Sequence, residues 1–126
     1  MSDTEKREIG DVGENAVADR LINTGHIILD RNYLKPWGEL DIVSKYKDCI
    51  HFIEVKTVTR VTGSPGDYEA FENIHKWKRK RLSRIIQTYL LDKRIGDSEW
   101  QIDAYSVALD SQGKVITIEC LEDIML

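Results

Sequence analysis

The sequence predicts a single α/β domain in which helices flank a mixed central sheet. Two patterns carry that expectation. Apolar residues recur at helical spacing over 11–23 and 69–92, while five short runs rich in β-branched and aromatic residues are bounded by turn formers. Their order is helix, three strands, helix, two strands. The length agrees, since 126 residues suffice to bury one core and suit one domain.

Residues 1–9 are polar and are read as a flexible N-terminus, with the folded domain spanning 10–126. The first helix is expected from 11 to 23, stopped by Thr24-Gly25, with Val17, Ala18, Leu21 and Ile22 as its apolar stripe. Glu14 falls on that stripe. Either it is a carboxylate placed to suit the helix N-terminus, or it looks into a site. Strands are expected at 26–33, 39–44 and 50–57, with turns around Lys35-Pro36-Trp37-Gly38 and at 45–48. The stretch 59–68, TRVTGSPGDY, has loop composition. The second helix, 69–92, buries Phe71, Ile74, Leu82, Ile85 and Tyr89, and Lys78 lies in the middle of that stripe. A cation there either snorkels outward or meets an anion. Strands at 100–109 and 115–120 complete the sheet. Asp103, acidic among apolar neighbours, suits a structural hydrogen-bonding role better than a ligand's.

Composition excludes several classes. Hydrophobic content of 41% and charged content of 32% are ordinary for a globular protein. No apolar run reaches the roughly 18–20 residues of a membrane span, and the charged start MSDTEKREIGDVGE has no signal core. A cytoplasmic protein with reduced Cys49 and Cys120 is expected. His26, His51 and His75 form no zinc spacing. The net charge of −4 argues against a protein that coats nucleic acid at large, yet Lys76–Arg84 carries six basic residues and no acid.

The chemistry gathers at 37–57, WGELDIVSKYKDCIHFIEVKT. Side chains alternate along a strand, so Glu54 and Lys56 share a face and Val55 points the other way; Glu39 and Asp41 likewise share a face. If the two strands pair, Asp41, Glu54 and Lys56 converge. Two carboxylates and an ammonium in apolar surroundings cost several kcal/mol unless something pairs or binds them. A buried ion-pair network that fixes register would meet that need. So would a divalent metal, since Asp41 and Glu54 offer hard oxygen ligands suited to Mg2+ or Mn2+ and the Val55 carbonyl adds a third. Lys56 would then orient or deprotonate a water for attack on a phosphodiester.

These residues carry a resemblance. Asp41 followed by Glu54-Val55-Lys56, with Glu14 upstream, resembles the PD-(D/E)xK nuclease superfamily. Gly13-Glu14-Asn15-Ala16, GELDIVSK at 38–45, FIEVKT at 52–57, and Lys78-x-x-Arg81-Leu82 ahead of Tyr89-Leu90 resemble the YraN-like family. That family consists of small bacterial endonuclease-like proteins similar to archaeal Holliday junction resolvases. The resemblance covers roughly residues 10–109. It implies a restriction-endonuclease-like fold, with Asp41 and Glu54 as metal ligands, Lys56 as catalytic lysine and Glu14 assisting the metal or its water. Glu39 matches the Gly-Glu-x-Asp motif more loosely. Lys78 would contact phosphate or support the carboxylates, and Arg79 and Arg81 beside it would bind nucleic acid. Val58 stands where the family often has an arginine after Thr57.

The function expected is metal-dependent hydrolysis of phosphodiester bonds in nucleic acid, DNA favoured and branched DNA included, by Asp41, Glu54, Lys56 and Glu14. A homodimer is expected from the resolvase similarity. The alternatives are a nucleic-acid-binding module that keeps the fold without cleaving, and a protein-interaction domain.

Overall fold

The computed structural model describes residues 2–60 and 76–124, with residues 76–80 described by their backbone alone. Helix α1 (Asp3–Asn23) leads into strands β1 (Ile27–Lys35), β2 (Gly38–Tyr46) and β3 (Cys49–Thr59), then helix α2 (Lys76–Asp92), β4 (Glu99–Leu109) and β5 (Val115–Leu121). The five strands form one sheet in the order β1-β2-β3-β4-β5. Three neighbouring pairs are antiparallel, while β3 and β4 run parallel over Cys49–Thr59 and Glu99–Leu109. A parallel pair needs a crossover, and α2 lies on it. This is the mixed α/β architecture of a nuclease-like fold.

Each helix covers one face. Against α1, Val17, Ala18 and Leu21 pack with Ile42, Ile53, Tyr105, Val107 and Leu109. Against α2, Leu82, Ile85, Ile86, Tyr89 and Leu90 pack with Leu40, Val43, Ile50, Phe52 and Ile102. Alternation explains the division on β3: Ile50 and Phe52 face α2, and Ile53 faces α1. No described helix is long and apolar enough to cross a membrane.

Several boundaries differ from the sequence expectation. Helix α1 begins at Asp3, so residues 3–9, expected to be flexible, are helical. Ser2 caps it, its hydroxyl accepting from the Glu5 N–H at 3.1 Å, and Asp3 and Glu5 place negative charge in the first turn. Ile22, expected on the buried stripe, is 55% exposed because α1 turns it away from the sheet. The predicted loop from 61 onward and the first turns of the predicted second helix, with Phe71 and Ile74, lie outside the described residues.

Candidate active site

The acidic residues meet where two strands part. Strands β2 and β3 pair from Tyr46–Cys49 to Ile42–Ile53. Beyond that point β2 continues only against β1, through Leu40, Glu39 and Gly38, and β3 only against β4, from Glu54 to Thr59. Asp41 and Glu54 sit at the fork. The cause lies in β2 itself. Residues two apart on a regular strand share a face, yet Leu40 packs in the α2-side core and Ile42 in the α1-side core. The strand rolls between them, at Asp41, and the shared ladder ends.

The Asp41 side chain takes over the lost backbone partner. Its Oδ2 accepts from the Val55 N–H at 2.8 Å. In a strand the N–H and C=O of one residue face the same edge, so the Val55 carbonyl is turned to the same gap. Burial, then the charge of Glu54, push the Asp41 pKa up to about 8 despite that hydrogen bond; Glu14 and Glu39 add to the rise. Glu14 on α1 is also raised, mainly by burial and then by Glu39, Asp11 and Glu54, while the Arg31 guanidinium opposes the shift. Four carboxylates from α1, β2 and β3 therefore feel one another's charge.

Asn32 is a site residue that the sequence motifs do not single out. It adopts a left-handed conformation, φ 53°, within β1. With its amide turned so that the nitrogen faces the acids, it lies 3.0 Å from Glu14 Oε1 and 3.2 Å from Glu39 Oε1. Asparagine tolerates positive φ better than most residues and is depleted in strands, so its position mid-strand was the available signal.

Helix α1 approaches β3 closely at Gly13, where an added Cβ would collide with Thr57 Oγ1. That contact sets Glu14 beside the Val55–Thr57 segment. A cleft of about 530 Å³ is lined there by Lys6, Ile9, Gly10, Glu14 and the run Val55–Thr59. Lys56 is exposed at this cleft. The structure thus brings Asp41, Glu54, Glu14 and Glu39 together, while Lys56 is exposed on β3 and is not among the charges that act on Asp41 or Glu14. Among the described residues, no three His, Cys, Asp or Glu side chains stand ready as a cage for a metal ion. The donor chemistry suits a hard divalent cation, and drawing the crowded carboxylates onto one would relieve their repulsion.

Arg81 is exposed on α2, its Nε 3.5 Å from the Trp37 carbonyl, and Arg84 stacks on the Trp37 ring at 4.6 Å. Trp37 immediately precedes the Gly38-Glu39-Leu40-Asp41 run, so this basic surface adjoins the acidic fork. The side chains of Lys78 and Arg79 lie outside the described residues.

Residues 13–109 match the sequence profile of the uncharacterised protein family UPF0102. The chain belongs to this family. UPF0102 is the YraN-like family that the sequence motifs resemble. Its relatives include UPF0102 proteins of Dictyoglomus turgidum, 34% identical over 116 residues (91% of this chain, 94% of the relative), and of Moorella thermoacetica, 36% identical over 118 residues (93% and 94%). One from Clostridium tetani is 31% identical over 118 residues, 93% of each chain. The matched span of this UPF0102 chain holds every residue of the acidic fork together with Lys56 and the α2 arginines.

Proposed function

We propose that this UPF0102 chain is a divalent-metal-dependent endonuclease acting on nucleic acid, DNA in preference and branched DNA among its forms. The observation that carries the reading is the fork itself: β2 and β3 separate where two half-buried acids stand, and Asp41 is held near pKa 8 by desolvation and by its acidic neighbours. Carboxylates are seldom crowded in this way for stability alone, because each unneutralised charge penalises the fold.

Asp41, Glu54 and the Val55 carbonyl are the groups that would hold Mg2+ or Mn2+, with Glu14 close enough to assist. Such an ion, when bound, supplies electrostatic stabilisation of the phosphoryl oxygens as charge develops on them. Lys56, exposed on β3 two residues beyond Glu54, would orient an attacking water and take or return its proton. Asn32 keeps Glu14 and Glu39 in place by donating to both. Arg81 and Arg84 offer the backbone phosphates a positive surface next to the fork.

A second reading, binding without cleavage, is favoured by the exposed Arg81 and Arg84 at Trp37, which would serve a binding module equally well. Cleavage of labelled single-stranded, duplex, flapped and four-way DNA, and of RNA, separates the readings. Each substrate is incubated with Mg2+, Mn2+ or EDTA, beside Asp41→Ala and Lys56→Ala proteins. Metal-dependent cutting lost in both variants is the expected result. Binding without cutting, unaffected by either substitution, would replace the nuclease by a binding module. Absence of binding at low salt would overturn the nucleic-acid assignment.

A further inference from the structure

A second cavity, of about 710 Å³, opens on the α1 face of the sheet beyond the helix's C-terminal end. It lies toward the other end of β3 from the fork, His51 being three residues, roughly 10 Å of strand, before Glu54. Because α1 stops at Asn23, the sheet there is covered by polar side chains instead of the apolar contacts found under the helix.

The polar groups are built in. Ser44 and His51 are cross-strand partners on β2 and β3, and Gln101 on β4 is paired with His51 on its other side. His51 Nδ1 lies 2.7 Å from Oδ2 of Asp103, which is only 2% exposed. The other Asp103 oxygen accepts from Gln101 Nε2 at 2.8 Å and from the Asp123 N–H at 3.0 Å. His26, just ahead of β1, places its Nδ1 2.9 Å from the hydroxyl of fully buried Ser44. The two imidazole rings meet edge to face, 4.9 Å between centroids, and Tyr46 stacks on His26 at 4.8 Å.

Both Nδ1 atoms are thus engaged. His51 Nδ1–H donates to the Asp103 carboxylate, which leaves the His51 Nε2 lone pair. The Ser44 hydroxyl can accept from His26 Nδ1–H in the tautomer that leaves the His26 Nε2 lone pair as well. A carboxylate behind the ring N–H, as Asp103 stands behind His51, is a support that metal-ligating imidazoles use. The surroundings select a cation. The lining carries the carboxylates Asp48, Glu99, Asp103 and Glu122 against only Arg20 and Lys47, and the carbonyl end of α1 adds partial negative charge. Imidazole nitrogens, with the thiols of Cys49 and Cys120 in the same lining, favour a borderline transition metal over Mg2+ or Ca2+.

We propose that His26 and His51, positioned by Ser44 and Asp103, form a site for one divalent transition-metal ion of the zinc class, separate from the acidic fork. The two ring nitrogens bind it, and water fills its remaining positions. This site stands whether or not the fork cleaves nucleic acid.

The test is calorimetric titration of Zn2+ into the full chain carrying Asp41→Ala and Glu54→Ala, which removes the fork as a competing site. Co2+ titration, followed by its visible absorption, reports the ligand set directly. One ion per chain in the micromolar range, undisturbed by millimolar Mg2+, is expected. His51→Gln and His26→Gln should each abolish it, and Asp103→Asn should weaken it about 10–100-fold. His26 is only half-buried, so its variant keeps the test decisive if loss of the buried His51–Asp103 pair unfolds the chain. Binding that survives both histidine substitutions, or no binding tighter than Mg2+ displays, would overturn the assignment.

Discussion

A carboxyl whose pKa stands near 8 is largely protonated at neutral pH, and Asp41 owes that state first to burial and then to Glu54. The sign of the linkage follows. The folded chain holds this proton more tightly than the unfolded chain, so stability is highest at low pH within the window and falls as pH rises from the ordinary aspartate range through 8. Asp41→Asn keeps an acceptor for the Val55 N–H but never acquires the charge. Its melting temperature should exceed the parent's at pH 8, with the gap closing toward pH 5. A gap independent of pH, or a less stable variant at pH 8, would show that Asp41 is not the group being strained. Asn32 offers a companion test. Asn32→Gly fits φ 53° and loses only the links to Glu14 and Glu39, whereas Asn32→Val adds backbone strain of about 1–2 kcal/mol. Urea unfolding should rank the valine variant well below the glycine one. Asp41, Glu54 and Glu14 were legible because acids in apolar strands and on a buried helix stripe are expensive. Asn32 escaped notice because its partners lie on α1 and β2, and sequence spacing cannot show who faces a turned backbone.

The elements hold these residues in place through two close approaches made at glycines of the recognised motifs. At Gly13, α1 lies on β3 so tightly that any Cβ would strike the Thr57 side chain. At Gly38, the same added carbon would come within 3.3 Å of Ile85 Cβ and 3.4 Å of the Arg81 carbonyl on α2. Each glycine lets a helix seat against the strand that carries an acid of the fork. Gly13→Ala should destabilise by about 1–3 kcal/mol in spite of alanine's better helix propensity, because Thr57 is short and branched and cannot swing aside. Thr57→Ala in the same chain should recover part of that loss, since it removes the nearest atom. Gly38→Ala should cost less, its contacts being tight but not overlapping. Chemical denaturation measures all three, and a neutral Gly13→Ala would mean that α1 can ride up without penalty. Periodicity announced both helices and all five strands, the strand edges shifted by one or two residues. It missed the start of α1 because residues 3–10 offer no apolar stripe, although Ser2 and Glu5, a capping pair, marked the true beginning. The parting of β2 and β3 was hidden altogether: it depends on Leu40 and Ile42 packing in opposite cores, which only the assembled sheet decides.

For the whole molecule, charge sets the terms on which nucleic acid can be met. A net charge of −4 repels a polyanion at long range, so any binding must come from a local surface. The described part of that surface is the exposed Arg81 and Arg84, both anchored on Trp37 at the turn that leads into the fork. Anchoring leaves less freedom to lose when a phosphate arrives. Few phosphates should therefore be neutralised, giving a shallow slope of log K against log salt, about −2 to −4 at roughly −0.9 per phosphate on duplex DNA. Arg81→Ala and Arg84→Ala should each reduce that slope by about one and weaken binding evenly across sequences. Replacing an arginine far from the fork, Arg94 beyond the end of α2, should leave it unchanged. Fluorescence anisotropy over a salt series measures these slopes in EDTA, where cleavage cannot interfere. If all three variants share the parent's slope, phosphates do not lie along α2, and the basic helix is only a solvated face. If the slope falls for Arg81 and Arg84 alone, nucleic acid passes over Trp37 and toward Asp41. The acidic fork then meets a phosphodiester only because the neighbouring arginines hold it there against the chain's own charge.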